Sequence, residues 1–277
     1  MEIFDTHFHF DGGESFDAFL ERCRADLLLA SAEYRVKPDR LRMLCAAGDF
    51  SDAVRARAFA EHCPEVFFSC GVHPHEARKF LDGGGEDFSV FRGHGKLLAV
   101  GEIGLDYFYD LSDRKAQKEV LEKFLKTALE WELPAMLHLR DRDGASDAYD
   151  DALAMLTDFS ADGGSFVIHC YAGNGDYAER FLALGGFFGV TGMVTFKAAE
   201  NIRRALEKVP DDRLLIETDS PYLAPVPYRG RSNTPGMTAL VAQALGAVRG
   251  MTPETAAERF SGNGGRFYRI GEWENER

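Results

Sequence analysis

The 277-residue chain lacks the features that would mark a specialised structural class. Its five cysteines, Cys23, Cys45, Cys63, Cys70 and Cys170, are scattered, odd in number and free of any Cys-x-x-Cys pair. That argues against a disulfide framework and a structural zinc cluster, and leaves small buried residues as their ordinary role. Positive charge is scarce: 32 Lys and Arg face 45 Asp and Glu, a formal net charge of -13. A generic nucleic-acid coat needs a basic face to release counterions, so this balance speaks against that class. It leaves room for an enzyme that draws a phosphodiester into a local pocket, where metal cations supply the positive charge. No run of about 18 apolar residues occurs, and the start Met1-Glu2-Ile3-Phe4-Asp5 is neither basic nor signal-like. The expectation is a soluble, cytoplasmic protein. No linker-like Pro/Ser-rich stretch or internal repeat divides the chain, and Gly83-Gly84-Gly85 reads as a loop tip without the Lys-Ser/Thr of a phosphate cradle.

What the chain does contain is alternation. Strand-like apolar runs at 2–8, 66–72, 97–102, 134–139, 165–170, 186–190 and 213–217 are separated by amphipathic stretches such as 51–63, 113–131, 145–158 and 175–184. For the second strand, 26–30 and 41–46 compete. The second is preferred because Gly48-Asp49 and a good helix follow at once, which makes 26–38 a helix or an insertion. Eight strands alternating with helices indicate parallel βαβ units. An α/β fold closed as a (β/α)8 TIM barrel, in a single domain over 1–277, is the expected architecture, since such barrels run to about 250 residues.

The chemistry-bearing residues cluster where apolar runs stop. In Asp5-Thr6-His7-Phe8-His9, residues two apart on a strand share a face, so His7 and His9 aim two imidazoles at one point with Asp5 below them. Gly101-Glu102, Leu137-His138, Ile168-His169 and Thr218-Asp219 repeat the pattern, each with a His, Glu or Asp at a strand end. In a barrel these ends converge on one mouth. Four imidazoles and two carboxylates exceed what a single catalytic zinc takes, which is three protein ligands and a water. They suit a pair of divalent metal ions about 3.5–4 Å apart. One ion would sit on His7, His9 and Asp219, the other on His138 and His169, with Glu102 bridging. Glu102 and Asp219 are the candidate catalytic residues, Asp219 with a dual role as metal ligand and as the base orienting the attacking water. The identity of the metal stays open among Zn, Mn, Mg, Co and Ni.

The ordered segments Asp-Thr-His-Phe-His (5–9), Gly-Val-His-Pro-His (71–75), Gly-Glu-Ile-Gly-Leu-Asp-Tyr (101–107), Leu-His-Leu-Arg-Asp (137–141), Ile-His-Cys-Tyr (168–171) and Glu-Thr-Asp-Ser-Pro-Tyr-Leu (217–223) resemble the motif series of the TatD family of metal-dependent deoxyribonucleases and related hydrolases. Asn233-Thr234-Pro235, in the stretch from Arg229, and Asn263 near Phe267 resemble that family's C-terminal features. The resemblance spans essentially the whole chain. It implies a TIM barrel, a divalent-metal centre at the six positions named above, and phosphodiester hydrolysis, with DNA ends as substrate. The segment from about 24 to 40 looks longer than the family pattern.

Around this set lie residues with two readings each. His73 and His75 either reach a substrate phosphate or belong to a turn stabilised by Pro74. Asp5 either supports a ligand through a hydrogen bond or caps a turn. Asp106 reads as structural and Tyr107 as a substrate-stacking residue. Arg140 clamps a phosphate or pairs with a nearby acid such as Asp141. Arg229 and Arg231 contact a phosphate backbone or are simply solvated. Cys170 packs, and His62 and His94 lie at the surface. The leading function is a two-metal phosphodiesterase acting on DNA as an exonuclease. The alternative keeps the metal barrel but cleaves a small carbonyl substrate, as an amidohydrolase or lactonase. Relatives of that type often bridge their metals with a modified lysine, where this chain offers Glu102. A non-enzymatic metal-binding scaffold is disfavoured because all six ligands are present.

Overall fold

A computed structural model describes residues 1–34 and 38–271. Eight parallel strands follow one another in chain order around a barrel: β1 (Glu2–Phe8), β2 (Arg40–Cys45), β3 (Val66–Cys70), β4 (Leu97–Asp106), β5 (Ala135–Arg140), β6 (Phe166–Ile168), β7 (Phe187–Val190) and β8 (Leu214–Ile216). The helices between and after them are α1 (Phe16–Tyr34), α2 (Phe50–His62), α3 (Ala77–Asp82), α4 (Arg114–Trp131), α5 (Asp147–Ala161), α6 (Gly175–Ala183), α7 (Glu200–Glu207), α8 (Thr238–Val248) and α9 (Pro253–Phe267). The expected TIM barrel is the observed fold. None of the helices among the described residues is long and apolar enough to cross a membrane.

Between 16 and 46 the competition resolves as expected: 26–30 is helical, inside α1, and 41–46 supplies β2. The helix begins well before 26, and residues 35–37 lie outside the described residues. Five strands differ in length from the sequence reading: β3, β7 and β8 are one or two residues shorter, and β4 and β6 differ by more. β4 continues to Asp106, because its pairing with β5 carries on through Gly104↔His138 and Asp106↔Arg140, and all of its residues are buried. Glu102 therefore lies inside a strand, at a register irregularity between Val100 and Ile103 that breaks the simple alternation of faces. β6 is shorter, and His169 lies just beyond its end.

The barrel closes between β8 and β1 at the end where the candidate ligands lie. His9 N donates to Ser220 O (2.7 Å) and Asp219 N to His7 O (2.9 Å). The buried Asp5 carboxylate reinforces the seam, accepting from Thr218 N (2.9 Å), Thr218 Oγ1 (2.5 Å) and His7 N (3.2 Å). At the opposite end an apolar layer of Phe4, Leu44, Leu98, Met136, Val167 and Leu215 is covered by Phe267, Tyr268 and Ile270 at the end of α9. A larger apolar layer lies between strands and helices, and includes Ile3, Phe59, Val120, Phe181 and Phe260. Local signals set the helix starts: Asp113 caps α4 by accepting from Ala116 N, a contact of about 1 kcal/mol.

Close approach of β4 to β5 depends on glycine. At Gly104 φ is +147°, and a Cβ there would lie 1.9 Å from His138 O. Gly104→Ala combines backbone strain with overpacking and should cost at least about 3 kcal/mol. Thermal unfolding should show a midpoint lowered by more than about 5 °C. Gly93→Ala is the control. It has φ +77° but open space around the new Cβ, and should lose only about 1–2 kcal/mol.

Candidate metal centre

All six predicted ligands meet at the barrel mouth around Glu102, which is 2% exposed. Glu102 Oε1 lies 3.0 Å from His138 Nδ1, 3.1 Å from His169 Nε2 and 3.6 Å from His73 Nε2. Its Oε2 lies 3.5 Å from both His7 Nε2 and His9 Nε2. Asp219 Oδ1 stands 3.5 Å from His9 Nε2 and 3.8 Å from His7 Nε2. Donor atoms converge in three overlapping groups: His7, His169 and Asp219; His7, His9 and Glu102; and His73, Glu102 and His138. Asp219 holds a left-handed backbone, φ 55°, a sparsely populated conformation of the kind found at functional sites.

The donor set suits divalent cations. Histidine ligands turn one ring nitrogen to the ion and the other to an acceptor that fixes orientation. His138 faces Asp106 Oδ2 with Nε2 (3.0 Å), His169 faces Glu217 Oε1 with Nδ1 (3.3 Å), and His7 faces Met136 Sδ with Nδ1 (3.0 Å). The inward nitrogens of His7 and His9 lie only 3.1 Å apart, beside a shared carboxylate oxygen. A cation among them would satisfy lone pairs that otherwise oppose one another.

Proton affinities follow from burial set against charge. Burial works to raise the Glu102 carboxyl, but His169, His73 and His138 outweigh it and hold the group well below the usual carboxylate range. Burial works to lower His169, yet Glu102 and Glu217 keep it well above the ordinary imidazole value. Burial lowers His7 and His73 well below that value, with neighbouring imidazoles adding to the shift. Burial raises Asp5 despite its three hydrogen bonds. Asp106, which burial would raise, is instead held far down by His138, the Tyr109 N–H and His75.

The remaining predicted residues divide. Arg140 lines the cavity at the mouth, which has a volume of about 710 Å³. It forms no ion pair with Asp141: the Asp141 carboxylate instead accepts from the N–H groups of Ala148 and Tyr149 at the start of α5. His73 lies within the donor cluster itself, although Pro74 does open a short turn after it. His75 lines the cavity and meets Asp106 Oδ2 at 3.0 Å. Asp5 lies behind the ligands on the β1–β8 seam.

Two expectations need correction. Tyr107 is fully buried, donates its hydroxyl to Asp151 (2.7 Å) and packs under Arg114, so it faces away from the cavity. Tyr109 lines the cavity instead. Arg229 does not line it either; its guanidinium covers the Phe196 ring at 4.3 Å. Residues that the sequence reading passed over include Glu217, which orients His169, and Gly189 on β7. A Cβ at Gly189 would come within 2.3 Å of a Glu217 oxygen, so β7 contributes space for that carboxylate. The run Glu217-Thr218-Asp219 held the signal for Glu217: a carboxylate two before a candidate ligand.

Asp106 links two parts of the site. One oxygen meets His138 and His75, and the other accepts from Phe108 N (3.0 Å) and Tyr109 N (2.8 Å). Asp106→Asn should weaken metal binding by about 10- to 100-fold. Equilibrium dialysis with elemental analysis would measure this, with circular dichroism confirming the fold. Unchanged affinity would reduce Asp106 to a turn-forming residue.

The family model described as TatD related DNase matches residues 4–269. Over 98% of this chain and 97% of the relative, it is 34% identical to the uncharacterized metal-dependent hydrolase YcfH of Escherichia coli strain K12. A 3'-5' ssDNA/RNA exonuclease TatD of Dickeya dadantii is 31% identical over 78% of this chain and 81% of its own. Among solved structures, YjjV, a TatD homologue from Escherichia coli, superposes with a TM-score of 0.78 at 26% identity, covering 97% of this chain and 98% of the other. With its ordered motifs, its barrel and its ring of imidazoles and carboxylates, the chain belongs to the TatD family of metal-dependent hydrolases.

Proposed function

We propose that the protein binds two divalent ions at this centre and hydrolyses phosphodiester bonds at the ends of DNA strands. The observation that carries the reading is the partition of Glu102, whose two oxygens face different sets of imidazoles. A bridging carboxylate is placed in that way. Ions held there would supply Lewis acidity, which acidifies water and offsets charge developing on a phosphoryl oxygen. His7, His9 and Asp219 would hold one ion, and His138 and His169 the other, with His73 as a further donor. Asp219 also lines the cavity and takes the proton of the attacking water at a carboxylate oxygen. Arg140 receives a non-bridging phosphate oxygen from the cavity wall. The net charge of -13 argues for contact confined to the mouth rather than a long groove, which favours action at ends. The name carried by the Dickeya dadantii relative supports single-stranded ends attacked in the 3'-5' direction.

End-labelled single- and double-stranded DNA tests this directly. Metal-stripped protein should leave it intact, and restored Mg, Mn or Zn should produce shortening from one end. Glu102→Gln should lower the rate at least about 100-fold, as expected for a residue that touches both ions. Intact DNA after treatment with protein shown to hold two ions would sink the nuclease reading and favour a small carbonyl substrate.

A further inference from the structure

Three exposed aromatic rings stand at the barrel mouth with no core to cover them: Phe108 (37%), Tyr109 (51%) and Tyr222 (63%). Both tyrosines line the cavity that holds the metal cluster, and each leans on a histidine at its edge. The Tyr109 ring lies 5.6 Å from the His75 ring, which itself stands 4.3 Å from His73 of the His73–Glu102–His138 group. The Tyr222 ring lies 6.4 Å from the His9 ring of the His7–His9–Glu102 group. An exposed tyrosine therefore stands on the side of each donor group, Tyr222 beside His9 and Tyr109 one ring further out, beside His75.

Their backbones are held although their rings are exposed. Asp106 fixes the N–H groups of Phe108 and Tyr109 with the same carboxylate that orients His138. On the other side Tyr222 N donates to Asp219 O (2.9 Å), and Tyr222 O accepts from Asn233 Nδ2 (2.8 Å). The backbones from which both rings project are thus anchored to residues of the site. Arg140 completes the first platform, with its guanidinium 4.3 Å from the Phe108 ring and 4.8 Å from the Tyr109 ring. Among the described residues it pairs with no carboxylate, so its charge remains available to a ligand in the cavity. Aromatic faces beside a cation are the means by which proteins hold unpaired bases next to their phosphates.

We propose that Tyr109 and Tyr222 stack the bases of the two nucleotides flanking the scissile phosphate, making them specificity-determining residues. This rests on the phosphodiesterase reading. A phosphate spanning the two donor groups places one nucleoside beside each tyrosine, and Arg140 takes the phosphate on the Tyr109 side. Bases paired and stacked within a duplex cannot reach either ring, and a terminus without bases gains nothing from them. The site therefore favours ends whose terminal bases are both present and unpaired.

The test uses metal-loaded protein and single strands labelled at either end. One set carries bases throughout. In the other, the two nucleotides at the unlabelled terminus are abasic tetrahydrofuran residues. Wild-type protein should favour the base-bearing strand by about 10-fold or more in kcat/KM. In Tyr109→Ala and Tyr222→Ala that preference should fall toward one, chiefly through KM, with metal content unchanged. Tyr109→Phe and Tyr222→Phe, which keep the ring, should retain it. Equal cleavage of both strands by the wild type, or an undiminished preference in the alanine variants, would overturn the proposal while leaving the phosphodiesterase reading intact. Absence of cleavage on every strand would overturn both.

Discussion

The Glu102 carboxylate is the constraint around which the rest of the site is arranged. Burying an ionised carboxylate costs several kcal/mol unless opposite charge or donors surround it. Here five imidazoles lie within 3.6 Å of its two oxygens, drawn from the ends of β1, β3, β5 and β6. Burial works against its charge, but His169, His73 and His138 outweigh it and hold the carboxyl well below the usual range. A charge held in this way has no stable alternative position, so every strand carrying an imidazole must stop at the right height and register. The β4 irregularity at Glu102 and the close approach permitted by Gly104 serve that requirement.

A second tier of acids carries the arrangement outward. Asp106 stands behind His138, Glu217 behind His169, and Asp5 behind the seam that joins β1 to the residues after β8. Each has a partner on another strand or just beyond its end, which makes ligand orientation a property of barrel closure and not of one segment. Asp106 extends the coupling to the surface by fixing Phe108 and Tyr109. One carboxylate thereby ties a histidine of the donor cluster to the exposed aromatic pair at the mouth.

Much of this was legible in advance because strand-end chemistry and alternating patterns are local. The order of eight strands, the preference for 41–46 over 26–30, and the convergence of His7, His9, Glu102, His138, His169 and Asp219 could be read from apolar runs and what terminates them. The Tyr107 expectation failed for a physical reason. β4 does not end at Glu102 but continues to Asp106, and the turn that follows is set by the Asp106 carboxylate. Side-chain direction beyond such a turn depends on hydrogen bonds that no periodicity encodes, and it buries Tyr107 while exposing Tyr109. Arg229 was misplaced for a similar reason, since its guanidinium packs over the Phe196 ring, distant in the chain.

The sequence by itself determined the chemical inventory and the order in which it is delivered. Imidazoles and carboxylates stand at the ends of successive apolar runs, in a chain whose alternation allows a parallel barrel. Tertiary structure decided how that inventory is grouped. It drew His73 in with His138 and Glu102, set Glu217 behind His169 in the space left by Gly189, and turned Tyr109 and Tyr222 to the cavity. The division has a physical basis: local pattern specifies where a strand stops, whereas barrel closure and contacts between residues far apart in the chain specify where its last side chains point.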